Sequence, residues 1–134
     1  MIGSRAIRVV HGESRQVLAA STAVLLASGT AALESVLTGR PTVAAYQMNP
    51  WTYRMVKGKL HTEFVTLPNF LAQKPLIPEL IQNDATVDSI VSALLPMLLD
   101  QVSDQFLIEA QAIHRSLSGD VTDRATDVIL ETLR

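Results

Sequence analysis

Apolar residues in the first half of the chain form short continuous runs separated by stretches with helical spacing. The continuous runs are typical of buried strands, and the spaced stretches are typical of helices that cover a sheet. An alternation of strands and helices in short order predicts a parallel sheet with right-handed crossovers. The predicted strands are residues 6–10, 22–27, 42–46 and 63–67, and the predicted helices are residues 13–20, 30–38 and 50–60.

The second half of the chain has helical spacing throughout, and this tail is too long to be a single cover for so small a sheet. We therefore expect an α/β fold, with a partial Rossmann-like parallel sheet over residues 1–100 and a helical tail over residues 101–134. The same disproportion predicts that the chain begins within a domain. The helices predicted after residue 75 are residues 78–82, 87–99, 103–117 and 122–133.

The turn after the run at residues 22–27 is the strongest candidate for a binding site, because ligands of open α/β sheets bind at the carboxyl ends of strands. Gly29 permits a tight turn into the next helix. The backbone amides of Gly29, Thr30 and Ala31 are then first-turn donors without partners, at the positive end of the helix dipole. Such donors bind phosphate or diphosphate, and Ser28 and Thr30 add hydroxyl groups.

Glu34 lies one helical turn beyond Thr30 on the same face of the predicted helix. A carboxylate there accepts hydrogen bonds from vicinal hydroxyls, such as those of a ribose, and this combination predicts a nucleotide or nucleotide-sugar site. A structural interpretation fits the same residues. In that case Ser28 is a helix cap, and Glu34 is a solvated acid near a helix start.

The composition excludes several other functions. A net charge of −2 and a pI of about 5.9 give none of the basic field that nucleic-acid binding requires. Cysteine is absent, which suits a cytoplasmic protein, and His11, His61 and His114 form no ligand-spaced pair for a metal. The hydrophobic content of 48% is high for so short a chain. No run is long enough to span a bilayer, so we expect another domain, a subunit or lipid to cover part of the surface.

A set of motifs in a fixed order resembles GT-B glycosyltransferases and, within them, the lipid-A-disaccharide synthase family. The resemblance covers residues 7–99, and it implies the C-terminal half of a GT-B fold. Two positions depart from the family pattern: Gln47 replaces a frequent arginine, and Gln73 replaces a glycine, which makes the turn geometry there doubtful. The motifs are residues 28–34 (SGTAALE), 39–41 (GRP), 43–46 (VAAY), 46–53 (YQMNPWTY), 67–72 (LPNFLA) and 78–82 (PELIQ).

The resemblance implies an inverting transfer of a diacylated glucosamine from its UDP donor to a lipid-linked monosaccharide phosphate, with release of UDP. It implies no metal and no other cofactor. By the same resemblance, the first helix turn holds the diphosphate, Glu34 binds the ribose and Asn69 faces the active-site cleft. The expected donor-binding residues are Ser28, Gly29, Thr30, Ala31, Glu34 and Asn69, with Tyr46, Glu79 and Gln82 as further candidates.

The family's general base and acceptor site belong to an N-terminal domain, so the catalytic residues are not identified in this chain. A partner domain or subunit is therefore expected, and the helical tail is expected to cross to it or to be exchanged in a homodimer. The helix at residues 50–60 mixes Trp51, Tyr53 and Met55 with cations. It therefore either contacts lipid at the inner membrane surface or packs its apolar side on the sheet.

Two alternatives stay open at this point. The chain could belong to another UDP-sugar enzyme of the same architecture, although residues 46–53 and 67–69 argue against it. It could instead be a non-catalytic nucleotide-binding fragment that dimerises through its tail. Selective binding of UDP distinguishes a donor site from a generic nucleotide site, and turnover distinguishes a catalyst from a binder.

Overall fold

A computed structural model describes residues 7–27, 29–57, 64–119 and 131 of the chain. Its centre is a three-stranded parallel sheet in the order β1-β2-β3. Leu26 of β1 pairs with Ala44 of β2, and Tyr46 of β2 pairs with Ile81 of β3. The strands are β1 (Val24–Leu26), β2 (Thr42–Tyr46) and β3 (Glu79–Ile81).

Six α-helices surround this sheet in the described residues, and a 3-10 turn at Gln82–Asp84 follows β3. Two helix starts carry side-chain caps. The Thr86 hydroxyl accepts a hydrogen bond from the Ser89 amide, and the Ser103 hydroxyl accepts one from the Phe106 amide. The helices are α1 (Ser14–Ala20), α2 (Thr30–Leu37), α3 (Pro50–Lys57), α4 (Leu67–Ala72), α5 (Val87–Leu99) and α6 (Asp104–Leu117).

One hydrophobic cluster joins the sheet to α2 and α6. Val36 of α2 and Ala44 of β2 are fully buried, and Ile113 of α6 packs with them. Burial of apolar surface of this kind is the main favourable contribution to folding. The first helix of the predicted tail therefore packs into the same core as the sheet, and the predicted division at residue 100 stays a prediction. The buried members are Ala32, Val36, Ala44, Ile77, Ala110 and Ile113.

Helix α2 ends in the way that the sequence predicts. Gly39 has a φ of 71°, its amide donates to the Val36 carbonyl, and the Arg40 amide donates to the Ser35 carbonyl. These two bonds form a Schellman motif, in which a left-handed residue satisfies the last carbonyls of a helix. The motif turns the chain directly into β2. A buried hydrogen bond of 2.7 Å between the Ser35 and Thr42 hydroxyls then fixes the helix against that strand.

Three predicted elements are wrong. Described residues 7–10 are not a strand, because they are exposed and pair with no neighbour, and a strand needs a hydrogen-bonded partner. Residues 64–66 are not a strand either, and Leu67, the last residue of that predicted strand, begins a helix instead. Residues 79–81 pair with β2 as a strand, whereas their spacing predicted a helix, because so short a run does not distinguish the two.

Other predicted elements are confirmed, and one strand is shorter than predicted. The α/β class with a parallel sheet is confirmed, and so are α1, α2 and β2. The run at residues 22–27 contributes a strand of only three residues, and Leu25 is half exposed instead of buried on both faces. The helix predicted at residues 122–133 lies outside the described residues except for Glu131. None of the helices described is long and apolar enough to cross a bilayer.

Candidate functional site

The carboxyl ends of the three parallel strands meet at one edge of the sheet. The start of α2 follows β1 at this edge, residues 47–49 follow β2, and the 3-10 turn follows β3. The site that the sequence predicts therefore draws on three segments that are distant in the chain and adjacent in the fold. This is the edge at which open α/β sheets bind their ligands.

The start of α2 is an exposed helix turn preceded by a glycine in a conformation that other residues avoid. Gly29 has φ 94° and ψ −152°, a region that is essentially restricted to glycine. Gly29, Thr30 and Ala31 are exposed, and no described side chain caps the helix. The first amides of a helix have no partners within it, so these donors face solvent at the positive end of the dipole. Ser28 lies outside the described residues.

Glu34 lies beside this helix start, where the sequence predicts it. Thr30, Ala31 and Glu34 line one open depression of about 400 Å³ against α1 and β1. Glu34 is half-buried, so part of its side chain is accessible from this depression. The depression also includes Arg8, which the sequence analysis did not single out. A cation between apolar residues in an otherwise apolar run was the only signal that could have pointed to it.

A second depression of about 570 Å³ lies where β2 and β3 end. Gln82 connects its two sides, because its side chain accepts a hydrogen bond of 2.8 Å from the Met48 amide and donates one of 3.1 Å to the Met48 carbonyl. Its backbone is left-handed, with φ 57°. The predicted candidate Gln82 therefore lines an open site and also holds its two loops together. The lining residues are Gln47, Met48, Pro50, Tyr53, Arg54, Gln82 and Asn83.

Gln47 also links the loop after β2 to the turn after β3. Its side-chain amide donates to the carbonyl oxygens of Gln82 and Ala85, at 3.2 and 3.0 Å. A donor at residue 47 thus holds the turn after β3 in place. Compared with the arginine that the resemblance implies at this position, glutamine keeps a donor and lacks a positive charge.

Asn69 differs from its predicted placement. Its side chain is 1% exposed, so it does not face an open cleft. The Asn69 amide nitrogen donates to the Ile77 carbonyl at 2.9 Å and to Glu79 at 2.8 Å, and its oxygen accepts from the Ile77 amide at 2.8 Å. Sequence reasoning missed this role because it predicted a loop at residues 68–69. The residue instead lies in α4 and connects that helix to β3.

Glu79 belongs to the same buried connection. Its carboxylate accepts hydrogen bonds from the amides of Val65 and Thr66, from the Thr66 hydroxyl and from Asn69. A carboxylate at the start of a helix is favourable because it satisfies free amides and opposes the helix dipole. Glu79 therefore anchors the start of α4 to the first residue of β3, and its hydrogen-bonding capacity is used within the protein.

Two further positions that the sequence analysis named, Tyr46 and Gln73, lie at the ends of β2 and α4. Tyr46 ends β2 and is 37% exposed at the carboxyl edge of the sheet. Gln73, where the resemblance implies a glycine, is left-handed with φ 52° and caps α4. The turn therefore forms with glutamine, and its side chain donates back to the Phe70 carbonyl. Within the described residues, no three His, Asp or Glu side chains gather as metal ligands would.

Comparison with known proteins identifies the family of the chain. A profile of lipid-A-disaccharide synthetase matches residues 5–127, which is most of the chain. The chain belongs to this family. The matched region contains the exposed start of α2, Glu34 and both open depressions.

Individual relatives agree with the profile. A lipid-A-disaccharide synthase of Pseudomonas putida F1 is 41% identical over 130 residues, which cover 96% of this chain and 34% of the relative. Those of Pseudomonas syringae pv. syringae and Azotobacter vinelandii are 43% and 42% identical, over 95% and 93% of this chain and 33% and 32% of their own lengths. The chain thus spans about a third of the length of the curated relatives that it matches.

Proposed function

We propose that this chain is the donor-binding part of a lipid-A-disaccharide synthase. In this proposal the enzyme transfers a diacylated glucosamine from UDP to a lipid-linked glucosamine phosphate and releases UDP. The chain holds the UDP portion of the donor, and the remainder of the enzyme supplies the acceptor site and the general base. Family membership supports the proposed reaction. The open carboxyl edge of the sheet supports the proposal that this chain binds the UDP portion of the donor.

The observation that carries the proposal is the shared depression of Thr30, Ala31 and Glu34. The first-turn amides of α2 are suited to a diphosphate, because they donate hydrogen bonds and lie at the positive end of the helix. The carboxylate one turn later is suited to the neighbouring ribose, whose vicinal hydroxyls are donors. A carboxylate repels phosphate, so this arrangement favours a nucleotide over a free inorganic anion.

The same geometry also suits the departure of UDP. As the bond between the anomeric carbon of the sugar and the phosphate oxygen of UDP breaks, negative charge accumulates on the terminal phosphate of UDP. Fixed amide donors stabilise developing charge without reorganising, and electrostatic stabilisation of this kind is often the largest contribution to catalysis. The α2 amides would thus both bind the donor and lower the barrier to transfer.

Calorimetric titration of the chain with UDP, ADP and GDP tests the nucleotide assignment. We expect UDP to bind most tightly, and we expect Glu34→Ala to weaken it about tenfold to a hundredfold, because a hydrogen bond to a charged group contributes roughly 1.5–3 kcal/mol. Asp88→Asn, which alters an exposed acid at the start of α5, is the matched control and should bind UDP normally. Equal affinity for the three nucleotides, or equal loss in both variants, would contradict the proposal.

A second assay distinguishes a donor-binding part of an enzyme from a non-catalytic nucleotide binder. The chain joined to the part of a relative that it does not match should transfer the lipid-linked sugar, and Glu34→Ala in that chimera should raise KM for the donor. A chimera that binds UDP but transfers nothing, while the parent relative is active, would favour the non-catalytic interpretation.

A further inference from the structure

Arg8 provides the positive charge of the depression beside Glu34. Arg8 and Val10 line this depression. Ile7 and Val9 do not, and they are 93% and 71% exposed. This alternation is typical of an extended segment, whose successive side chains point to opposite sides. The segment therefore directs its one cation toward the depression that also contains the start of α2.

The Arg8 guanidinium forms no hydrogen bond or ion pair with another described residue. Glu34 lines the same depression, but the two charged groups do not pair. Arginine stays charged at neutral pH and has five N–H donors in a planar fork. These donors are therefore available to a ligand in the depression, as are the first-turn amides of α2.

Most of the lining of this depression is apolar. Among its described residues, those with polar side chains are Arg8, Ser14, Thr30 and Glu34. Attraction between charges is stronger beside apolar surface than in water, because the effective dielectric constant is lower there. The depression thus offers a ligand one cation and one anion in a setting that strengthens both. A cation is suited to phosphate oxygens, and a carboxylate is suited to hydroxyl donors.

We propose that Arg8 binds the diphosphate of the donor together with the first-turn amides of α2. Its planar fork matches two oxygens of a phosphate, so it donates two parallel hydrogen bonds. The cation also offsets the repulsion between Glu34 and the phosphates, and it stabilises the negative charge that develops on UDP as the donor bond breaks. The inference rests on the proposed function and extends the donor site to a residue that precedes β1.

UDP and uridine distinguish the role of Arg8 from that of Glu34, because they share the base and the ribose and differ in the diphosphate. Titrations followed by nuclear magnetic resonance measure the affinity of both ligands, and the spectra show whether each variant is folded. Arg8→Gln should weaken UDP binding about threefold to tenfold, as expected for a charge pair with two hydrogen bonds at an exposed position. It should leave uridine binding unchanged, whereas Glu34→Ala should weaken the binding of both ligands.

Two further variants define the interaction. Arg8→Lys keeps the charge without the fork, so its affinity for UDP should lie between those of the natural chain and Arg8→Gln. Arg115→Gln is the matched control, because it removes the same charge from an exposed position in the last turn of α6. It should bind UDP and uridine as the natural chain does.

Failure of this inference is distinguishable from failure of the proposed function. UDP binding that Glu34→Ala weakens and Arg8→Gln leaves unchanged would exclude Arg8 from the site while the proposed function stands. Equal weakening of UDP and uridine by Arg8→Gln would overturn the inference, because Arg8 would then shape the depression instead of contacting phosphate. Equal weakening of UDP by Arg115→Gln would overturn it too, as a general effect of net charge. A natural chain that binds no UDP would contradict the proposed function and the inference with it.

Discussion

The substitution Asn69→Asp tests whether the buried amide of Asn69 serves the fold. This change preserves the size and shape of the side chain but replaces its amide donor by an oxygen. That oxygen would lie about where the Asn69 nitrogen now donates to Glu79 at 2.8 Å and to the Ile77 carbonyl at 2.9 Å. An ionised carboxyl would repel both acceptors. A protonated one has a single donor, so it satisfies only one of them.

The magnitude follows from these contacts. At low pH one acceptor loses its hydrogen bond from residue 69. The cost is about 0.5–1.5 kcal/mol if that acceptor is Glu79, which keeps its bonds from Val65 and Thr66, and about 1–3 kcal/mol if it is the Ile77 carbonyl. The introduced carboxyl has a pKa above its ordinary value in the folded protein, because burial and Glu79 disfavour its charged form. Between the two pKa values the folded state binds one proton more than the unfolded state. Stability of the variant therefore falls by about 1.4 kcal/mol per pH unit in that window, and its penalty grows as the pH rises.

Urea unfolding at several pH values, with the natural chain measured in parallel, provides the assay. Asn69→Ala removes the partners of both the Ile77 amide and the Ile77 carbonyl, so it should cost about 2–6 kcal/mol at every pH. Asn83→Asp is the exposed control and should change stability by less than about 0.5 kcal/mol. A penalty for Asn69→Asp that is negligible, or that does not depend on pH, would refute the reasoning and return Asn69 to an accessible position.

Three further predictions rest on single geometric features. Gly29→Ala should cost about 1–3 kcal/mol in urea unfolding through backbone strain alone, because no atom of the described residues beyond the chain neighbours lies within 4 Å of the added Cβ. A smaller effect would mean that α2 starts differently. Gln47→Arg should keep the thermal stability of the chain because it remains a donor, whereas Gln47→Glu should lower it by placing a carboxylate against two carbonyls. The hydrogen bond from Lys74 lowers the pKa of Glu109, so this contact stabilises the fold at neutral pH and is lost as the pH falls through that lowered pKa. Glu109→Gln should remove that part of the acid sensitivity in thermal melts.

Long patterns and strong punctuation in the sequence predicted the fold well. The run at residues 42–46 became β2 with the same bounds, and Gly39 ended α2 because only a left-handed residue completes the Schellman motif there. The prediction for residues 79–81 failed because three apolar or long side chains fit both the helical and the strand period. Their strand state is decided by pairing with β2, a contact between positions more than thirty residues apart that local spacing does not contain.

The same difference between local features and long-range contacts applies to the candidate site. Thr30, Ala31 and Glu34 line one depression, and the sequence could bring them together because a helix start and the next turn are local features. Asn69 could not be placed from sequence, since a polar residue after a proline is typical of both an exposed loop and a buried helix turn. Its burial depends on the tertiary partners Ile77 and Glu79, and the hydrogen bonds to them satisfy an amide that would otherwise be costly to bury.

The contacts that shape the carboxyl edge of the sheet lie mostly away from it. The start of α2 is oriented by the opposite end of that helix, where the buried hydroxyls of Ser35 and Thr42 bind each other at 2.7 Å. The turn after β3 is held by Gln47, and the start of β3 is held by Asn69 through Ile77 and Glu79. Amides preorganised in this way stabilise charge only while their supports are rigid. Substitutions in these supports should therefore weaken UDP binding even though none of the altered side chains lines the depression beside Glu34.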